Sequence, residues 1–94
     1  MSLDAVRAEI SKVDSEIIRL IAERQKLAGK IARIKIAGNL PVHDGERANT
    51  VLESVYDQAT ERRIDAVSVK KIFEILIAMS EDRQRECSGD GNLP

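Results

Sequence analysis

The feature that most constrains this chain is a seam with a regular 3,4 spacing, almost entirely apolar, through its first 35 residues. Apolar side chains recur at alternating intervals of three and four residues, which is the pattern of one face of a long amphipathic helix. Nine of the ten seam positions are aliphatic, and the tenth is Arg24. The seam comprises Leu3, Val6, Ile10, Val13, Ile17, Leu20, Arg24, Leu27, Ile31 and Ile34. It predicts a helix over about residues 3–37, on the order of 50 Å long, that ends before Gly38, Asn39 and Pro41.

Two shorter helices are predicted after this long one. Asp44 is a suitable N-cap for a helix over 45–62, and Asp65 is one for a helix over 66–86. Residues 87–94 lack apolar periodicity, so we expect a disordered tail there. The sequence therefore predicts an all-α fold with three helices in a single domain over 1–94. Because the first helix is too long for a compact monomer of 94 residues, we expect a second copy to cover its seam in an intertwined helical-bundle homodimer.

Composition and charge argue against several classes of function. The net charge of −1 lacks the basic excess of a nucleic-acid-binding domain. No apolar run approaches the roughly 18 residues of a membrane span, and we expect no signal peptide at the N-terminus. Cys87 is the single cysteine, so it cannot form an internal disulfide or a cysteine-based metal site. We expect a cytoplasmic protein with neither nucleic acid nor membrane as its partner.

Arg24 occupies a seam position where a leucine would be more stable. Burial of an unpaired guanidinium costs several kcal/mol, so Arg24 needs an anion from elsewhere in the fold or from a ligand. Lys35 returns to nearly the same helix face three turns later. If two long helices pair antiparallel and cross near Ile17, Arg7 of one copy approaches this region of the other. The spacing thus suggests a pocket in which three cations converge, one of them from the partner.

The other helices add polar groups to this hypothetical pocket. The apolar stripe of the third helix continues into Ser80 and Gln84, and Arg47 lies in the first turn of the second helix, where free N–H groups favour anions. Each feature also has a structural interpretation: a snorkelling arginine, a polar residue that sets helix register, or a helix cap at Asp44. His43 lies in a turn with no set of metal ligands around it. The combination favours a small polyanionic ligand.

These residues resemble the AroQ-class chorismate mutases over residues 3 to 86. The matching motifs are VRAEISKVDSEIIRLIAERQKLAGKIARIK, PVHDGER and IDAVSVKKIFEILIAMSEDRQ. The resemblance implies a helical dimer that rearranges chorismate to prephenate in phenylalanine and tyrosine biosynthesis, without metal or cofactor. It also implies roles for seven residues. Substrate binding is implied for Arg24 and Arg47, for Arg7 from the other subunit, for Ser80 near a carboxylate and for Asp44 near the ring hydroxyl; donation to the ether oxygen is implied for Lys35 and Gln84.

One position departs from the family pattern, because Ala48 stands where many members have a glutamate that contacts the substrate hydroxyl. Two alternatives therefore stay open. Related proteins of this fold act as isochorismate pyruvate-lyases, although Asp44 favours the mutase. A non-catalytic helical dimerisation module, in which Arg24 sets the register, is the third interpretation.

Overall fold

The computed structural model describes residues 1–88, which form three α-helices. Helix α1 spans Leu3–Ala37, α2 spans Gly45–Glu61 and α3 spans Ala66–Cys87. The all-α prediction is confirmed, and the predicted bounds differ from these by one residue at the ends of α2 and α3. Cys87, expected in the tail, closes α3, and Ser88 is its C-cap. The rest of the predicted tail, 89–94, lies outside the described residues.

A short polar side chain caps the start of each helix, at Asp44 and Asp65 as predicted and at Ser2, which was not among the predicted caps. The Oγ atom of Ser2 accepts a hydrogen bond from the backbone N of Ala5 at 3.0 Å, which caps α1. Asp44 caps α2 by accepting from the backbone N of Arg47 at 3.0 Å, and Asp65 caps α3 by accepting from Val67 at 3.3 Å. Each cap satisfies a backbone N–H that has no partner within its helix.

Helices α1 and α2 both end with a residue in the left-handed conformation. Asn39 (φ 54°) follows the C-cap of α1, and Arg63 (φ 59°) follows that of α2. At the first of these ends the backbone N of Leu40 donates to the carbonyl of Lys35 at 2.7 Å, which is the Schellman arrangement. The chain therefore turns back sharply after α1, and this turn places residues 41–44 beside the last turn of the helix.

Helix α3 packs against both of the others, whereas α1 and α2 do not pack on each other within residues 1–88. The buried apolar residues are few and small: Ala28, Ala32, Val55 and Ala59. All buried residues of α1 lie between 28 and 32, so only its C-terminal half is covered by α3. No helix in residues 1–88 is long and apolar enough to cross a membrane; the cytoplasmic location stays a prediction.

The N-terminal half of α1 extends away from the other helices with its seam uncovered. Leu3, Ile10, Val13 and Ile17 retain about half or more of their accessible surface. The radius of gyration is 16.6 Å, compared with roughly 12 Å expected for a compact domain of this length. Covering these side chains with another surface would lower the free energy, because it would remove apolar area from water.

Candidate active site

Side chains of all three helices line a partly open cavity of about 300 Å³, here called the central cavity. Its apolar surface comes mainly from α1 and α2, through residues such as Leu27, Ile31 and Val51, and all three helices also contribute polar or charged side chains. Six of the seven residues predicted for the site line this cavity, namely Arg24, Lys35, Asp44, Arg47, Ser80 and Gln84. The fold therefore brings together residues that are up to 60 positions apart in the chain.

A connected set of hydrogen bonds fixes the polar side of the cavity. Lys35 Nζ donates to Gln84 Oε1 at 2.8 Å and to the carbonyl of Val42 at 2.6 Å. Gln84 Nε2 in turn donates to Ser80 Oγ at 3.1 Å. Since an ammonium group can only donate, the atom that faces Lys35 must be the amide oxygen, and the orientation of the Gln84 side chain follows from that.

Lys35 and Gln84 each keep one N–H group that no residue of 1–88 accepts. Lysine has three ammonium protons and the glutamine amide has two, and the bonds above use two and one of them. Gln84 is only 5% exposed, so its amide is held by protein contacts before any ligand arrives. Both residues line the central cavity, which places two oriented donors side by side in it.

Arg24 lies in the cavity, and no residue of 1–88 acts as its counter-ion. One guanidinium nitrogen, Nη1, donates to the backbone carbonyl of Leu76 at 3.0 Å. Within residues 1–88, no carboxylate forms an ion pair with Arg24, Arg47 or Lys35. Burial lowers the pKa of the Arg24 guanidinium, and the positive charge of Arg47 lowers it further. Two guanidinium groups that repel each other in a half-buried pocket favour the binding of an anion between them.

Two carboxylates also line the cavity. Asp44 uses Oδ1 to cap α2, as its position predicted. Glu81 was not among the predicted site residues, because it stands in a run of charged residues where no pattern distinguishes it from a solvated surface group. Its Oε1 atom lies 2.8 Å from His43 Nδ1 and thereby connects the 38–44 turn to α3.

Arg7 lies outside the central cavity of its own chain. It is exposed on the free half of α1, 17 residues and therefore about 25 Å along the helix axis from Arg24. It forms no ion pair with any residue of 1–88. Its expected contribution from a second copy stays a prediction.

A second and larger hollow, of about 410 Å³, lies between α2 and α3. Its charged groups are Glu53, Asp57 and Lys70, so its charge is negative on balance. An anionic ligand is therefore favoured by the smaller central cavity, where three cations outnumber two carboxylates. In residues 1–88 no group of three or more His, Cys, Asp or Glu side chains is placed to hold a metal ion.

Comparison with known proteins gives consistent matches over nearly the whole helical region. The family model described as chorismate mutase type II matches residues 6–85. The chain is 33% identical over 84 residues to a chorismate mutase of Methanocaldococcus jannaschii, which covers 89% of this chain and 85% of that protein. A solved structure described as a conserved hypothetical protein from Pyrococcus furiosus superimposes with a TM-score of 0.69 at 36% identity, over 88% of this chain and 95% of that one.

Other relatives are much longer. The chain is 30% identical over 73 residues to the bifunctional chorismate mutase/prephenate dehydratase of Escherichia coli, which covers 78% of this chain and 19% of that protein. The chain thus spans about a fifth of the length of this bifunctional relative.

Proposed function

We propose that this chain, which belongs to the chorismate mutase type II family, converts chorismate to prephenate in the central cavity. The observation that carries this assignment is the pair of oriented donors, Lys35 and Gln84, beside two guanidinium groups that have no counter-ion within residues 1–88. The reaction is a unimolecular rearrangement, so the protein need only bind the substrate, hold its reactive shape and stabilise the charge that develops.

The charges of the cavity fit a dicarboxylate when a further cation is added. Chorismate carries two carboxylates, and each can accept two parallel hydrogen bonds from an arginine. We assign one carboxylate to Arg24 and Arg47 and place Ser80 near a carboxylate as well. Three cations and two carboxylates in one chain leave a single net positive charge, which does not neutralise a dianion.

The missing cation is assigned to Arg7 of a second copy. The uncovered seam of α1 supplies the surface for an antiparallel pairing, and a crossing near Ile17 carries Arg7 of each copy toward the cavity of the other. The functional unit is then an intertwined homodimer with two identical sites. Each site contains Arg24, Lys35 and Arg47 from one copy and Arg7 from its partner.

Catalysis is assigned to the spare N–H groups of Lys35 and Gln84. In the transition state the C–O bond of the ether breaks, and negative charge grows on its oxygen. Donors that are already held in place stabilise this charge without reorganisation, and removal of one such donor typically lowers kcat by a factor of about 10² to 10³. Asp44 lies at the entry of α2 and is assigned to the neighbourhood of the ring hydroxyl.

Isochorismate pyruvate-lyase activity is the second candidate. The observation in its favour is Ala48, which lines the cavity with a methyl group where many mutases of this class have a glutamate. A side-by-side assay of chorismate and isochorismate, without added metal, decides between the two. We expect prephenate from chorismate at the higher rate, and faster release of pyruvate from isochorismate would reverse the assignment.

A further inference from the structure

Glu81 is an acidic residue inside a cavity suited to an anion, and neither its charge nor its position is explained by the cap and donor roles described above. It lies on α3 between Ser80 and Gln84, and its side chain is only 18% exposed. A half-buried carboxylate is costly unless cations or hydrogen-bond donors compensate it. Beside a dianionic substrate it is also repulsive, unless the substrate itself supplies a donor.

The contacts of Glu81 anchor the carboxylate and leave one oxygen available. Oε1 lies 2.8 Å from His43 Nδ1 and 3.8 Å from Arg85 Nη2. Because an ionised carboxylate only accepts, Nδ1 of His43 carries the proton in this contact. No residue of 1–88 donates a hydrogen bond to the other oxygen, Oε2. The side chain is therefore oriented by one oxygen and able to accept through the other.

The wall offers one other carboxylate, that of Asp44. Asp44 is exposed to solvent, and its Oδ1 accepts the backbone N–H of Arg47, so Glu81 is the less exposed of the two acceptors. Ala48 contributes only a methyl group to the wall. A hydroxyl group that loses its contact with water on binding, and finds no acceptor, loses the hydrogen bond that it made with water. Chorismate has such a hydroxyl on its ring.

We propose that Glu81 accepts the hydrogen bond of the substrate's ring hydroxyl and thereby selects ring dicarboxylates that carry this group. This inference rests on the proposed function and deepens it. His43 is a positioning residue in this arrangement, because it holds Oε1 while Oε2 accepts the hydrogen bond from the ligand. The competing explanation is that Glu81 only ties the 38–44 turn to α3.

The test is binding of two cyclic dicarboxylates that differ only in the ring hydroxyl, measured by calorimetry. The useful quantity is the ratio of their Kd values, since the general electrostatic gain from removing a negative charge affects both ligands and cancels. The proteins are wild type, Glu81→Gln, His43→Ala and Glu86→Gln. The last is a matched control, because Glu86 is an exposed glutamate of the same helix that pairs with Arg83.

We expect wild type and Glu86→Gln to share a preference for the hydroxylated ligand. In Glu81→Gln this preference falls roughly fivefold, because the hydrogen bond loses its charged acceptor, and in His43→Ala it falls less. An unchanged ratio in Glu81→Gln, or an equal fall in His43→Ala, overturns the proposal.

Chorismate turnover by wild type is measured separately. Wild type that shows the Glu81-dependent preference without turnover refutes the mutase assignment alone. Turnover with an unchanged ratio refutes the role of Glu81 alone.

Discussion

Lys35 Nζ lies 2.8 Å from Gln84 Oε1, across the interface between α1 and α3. This contact joins residues that are 49 positions apart, and it fixes which end of the Gln84 amide can donate into the cavity. A charged donor and a neutral donor are thereby held next to each other before substrate binds. The neutral donor, the amide of Gln84, is the one that substitution can make titratable.

Replacement Gln84→Glu converts a donor that does not titrate into a carboxyl group that donates only when protonated. The neighbouring ammonium of Lys35 favours the ionised form, so kcat/KM for chorismate at neutral pH should fall by about 10² or more. The activity should recover as the pH is lowered, because protonation restores the donor. Steady-state kinetics across the acidic and neutral range measures this.

Wild type should show no comparable rise on acidification, and neither should Gln58→Glu, which makes the same change on α2 at an exposed position. A Gln84→Glu variant with full activity at neutral pH would contradict the assignment of the amide as a donor.

Arg24 is expected to decrease the stability of the ligand-free protein. Its guanidinium is half-buried beside Arg47 with no carboxylate partner in residues 1–88. Arg24→Met should therefore raise the free energy of unfolding by about 1 kcal/mol while it abolishes turnover. Chemical denaturation and a chorismate assay measure the two effects.

The control is Arg19→Met, since Arg19 is exposed and pairs with Glu16, and we expect it to change stability by less than about 0.5 kcal/mol. A dicarboxylate inhibitor should raise the Tm of wild type but not that of Arg24→Met. A non-catalytic dimerisation module also predicts the stabilisation, but it predicts no effect of the inhibitor on Tm in either protein.

Arg63 carries strain that has no connection with the cavity. It adopts φ 59° after the end of α2, a conformation that costs a residue with a side chain roughly 1 kcal/mol. Arg63→Gly should raise the free energy of unfolding by up to about 1 kcal/mol with unchanged kcat/KM. Arg62→Gly is the matched control: Arg62 has φ −86°, so glycine should bring no gain there. Equal effects of the two substitutions would contradict this explanation.

The helices could be predicted from the sequence because their signals are local. The 3,4 spacing from Leu3 to Ile34, the caps at Asp44 and Asp65, and the stop at Gly38 and Asn39 each act over a few residues. Asn39 rather than Gly38 takes the left-handed conformation at the end of α1. After glycine, asparagine is the residue that most often takes this conformation at a helix end.

The site was predictable only in part. Arg24 was conspicuous because it interrupts an apolar seam, and Gln84 because it continues an apolar stripe. Glu81 broke no pattern, and its presence in the cavity depends on how α3 is rotated against α1 and α2, which is a property of tertiary packing. The hydrogen bond from Lys35 to the Val42 carbonyl likewise depends on the turn after α1. Its acceptor is a backbone atom, so no residue type in the sequence predicts it.

Subunit complementation between Arg7→Ala and Lys35→Ala tests most directly whether two copies of the chain share each site. Each variant alone should be nearly inactive, since both of its sites lack one required cation. The two variants are unfolded and refolded together in equal amounts, so that half of the dimers contain one copy of each. In such a mixed dimer, the cavity of the Arg7→Ala copy has an intact Lys35 and receives an intact Arg7 from the other copy. The second site of the mixed dimer lacks both. The mixture should therefore reach about a quarter of wild-type activity.

The matched control mixes Arg24→Ala with Lys35→Ala. Arg24 and Lys35 line the same cavity of one chain, so every site in a mixed dimer still lacks one of them. We expect the activity of this mixture to stay low. We expect recovery to about a quarter of wild-type activity in the first mixture alone. If mixed dimers form and the Arg7→Ala and Lys35→Ala mixture is no more active than its components, the sharing of one site between two copies is contradicted.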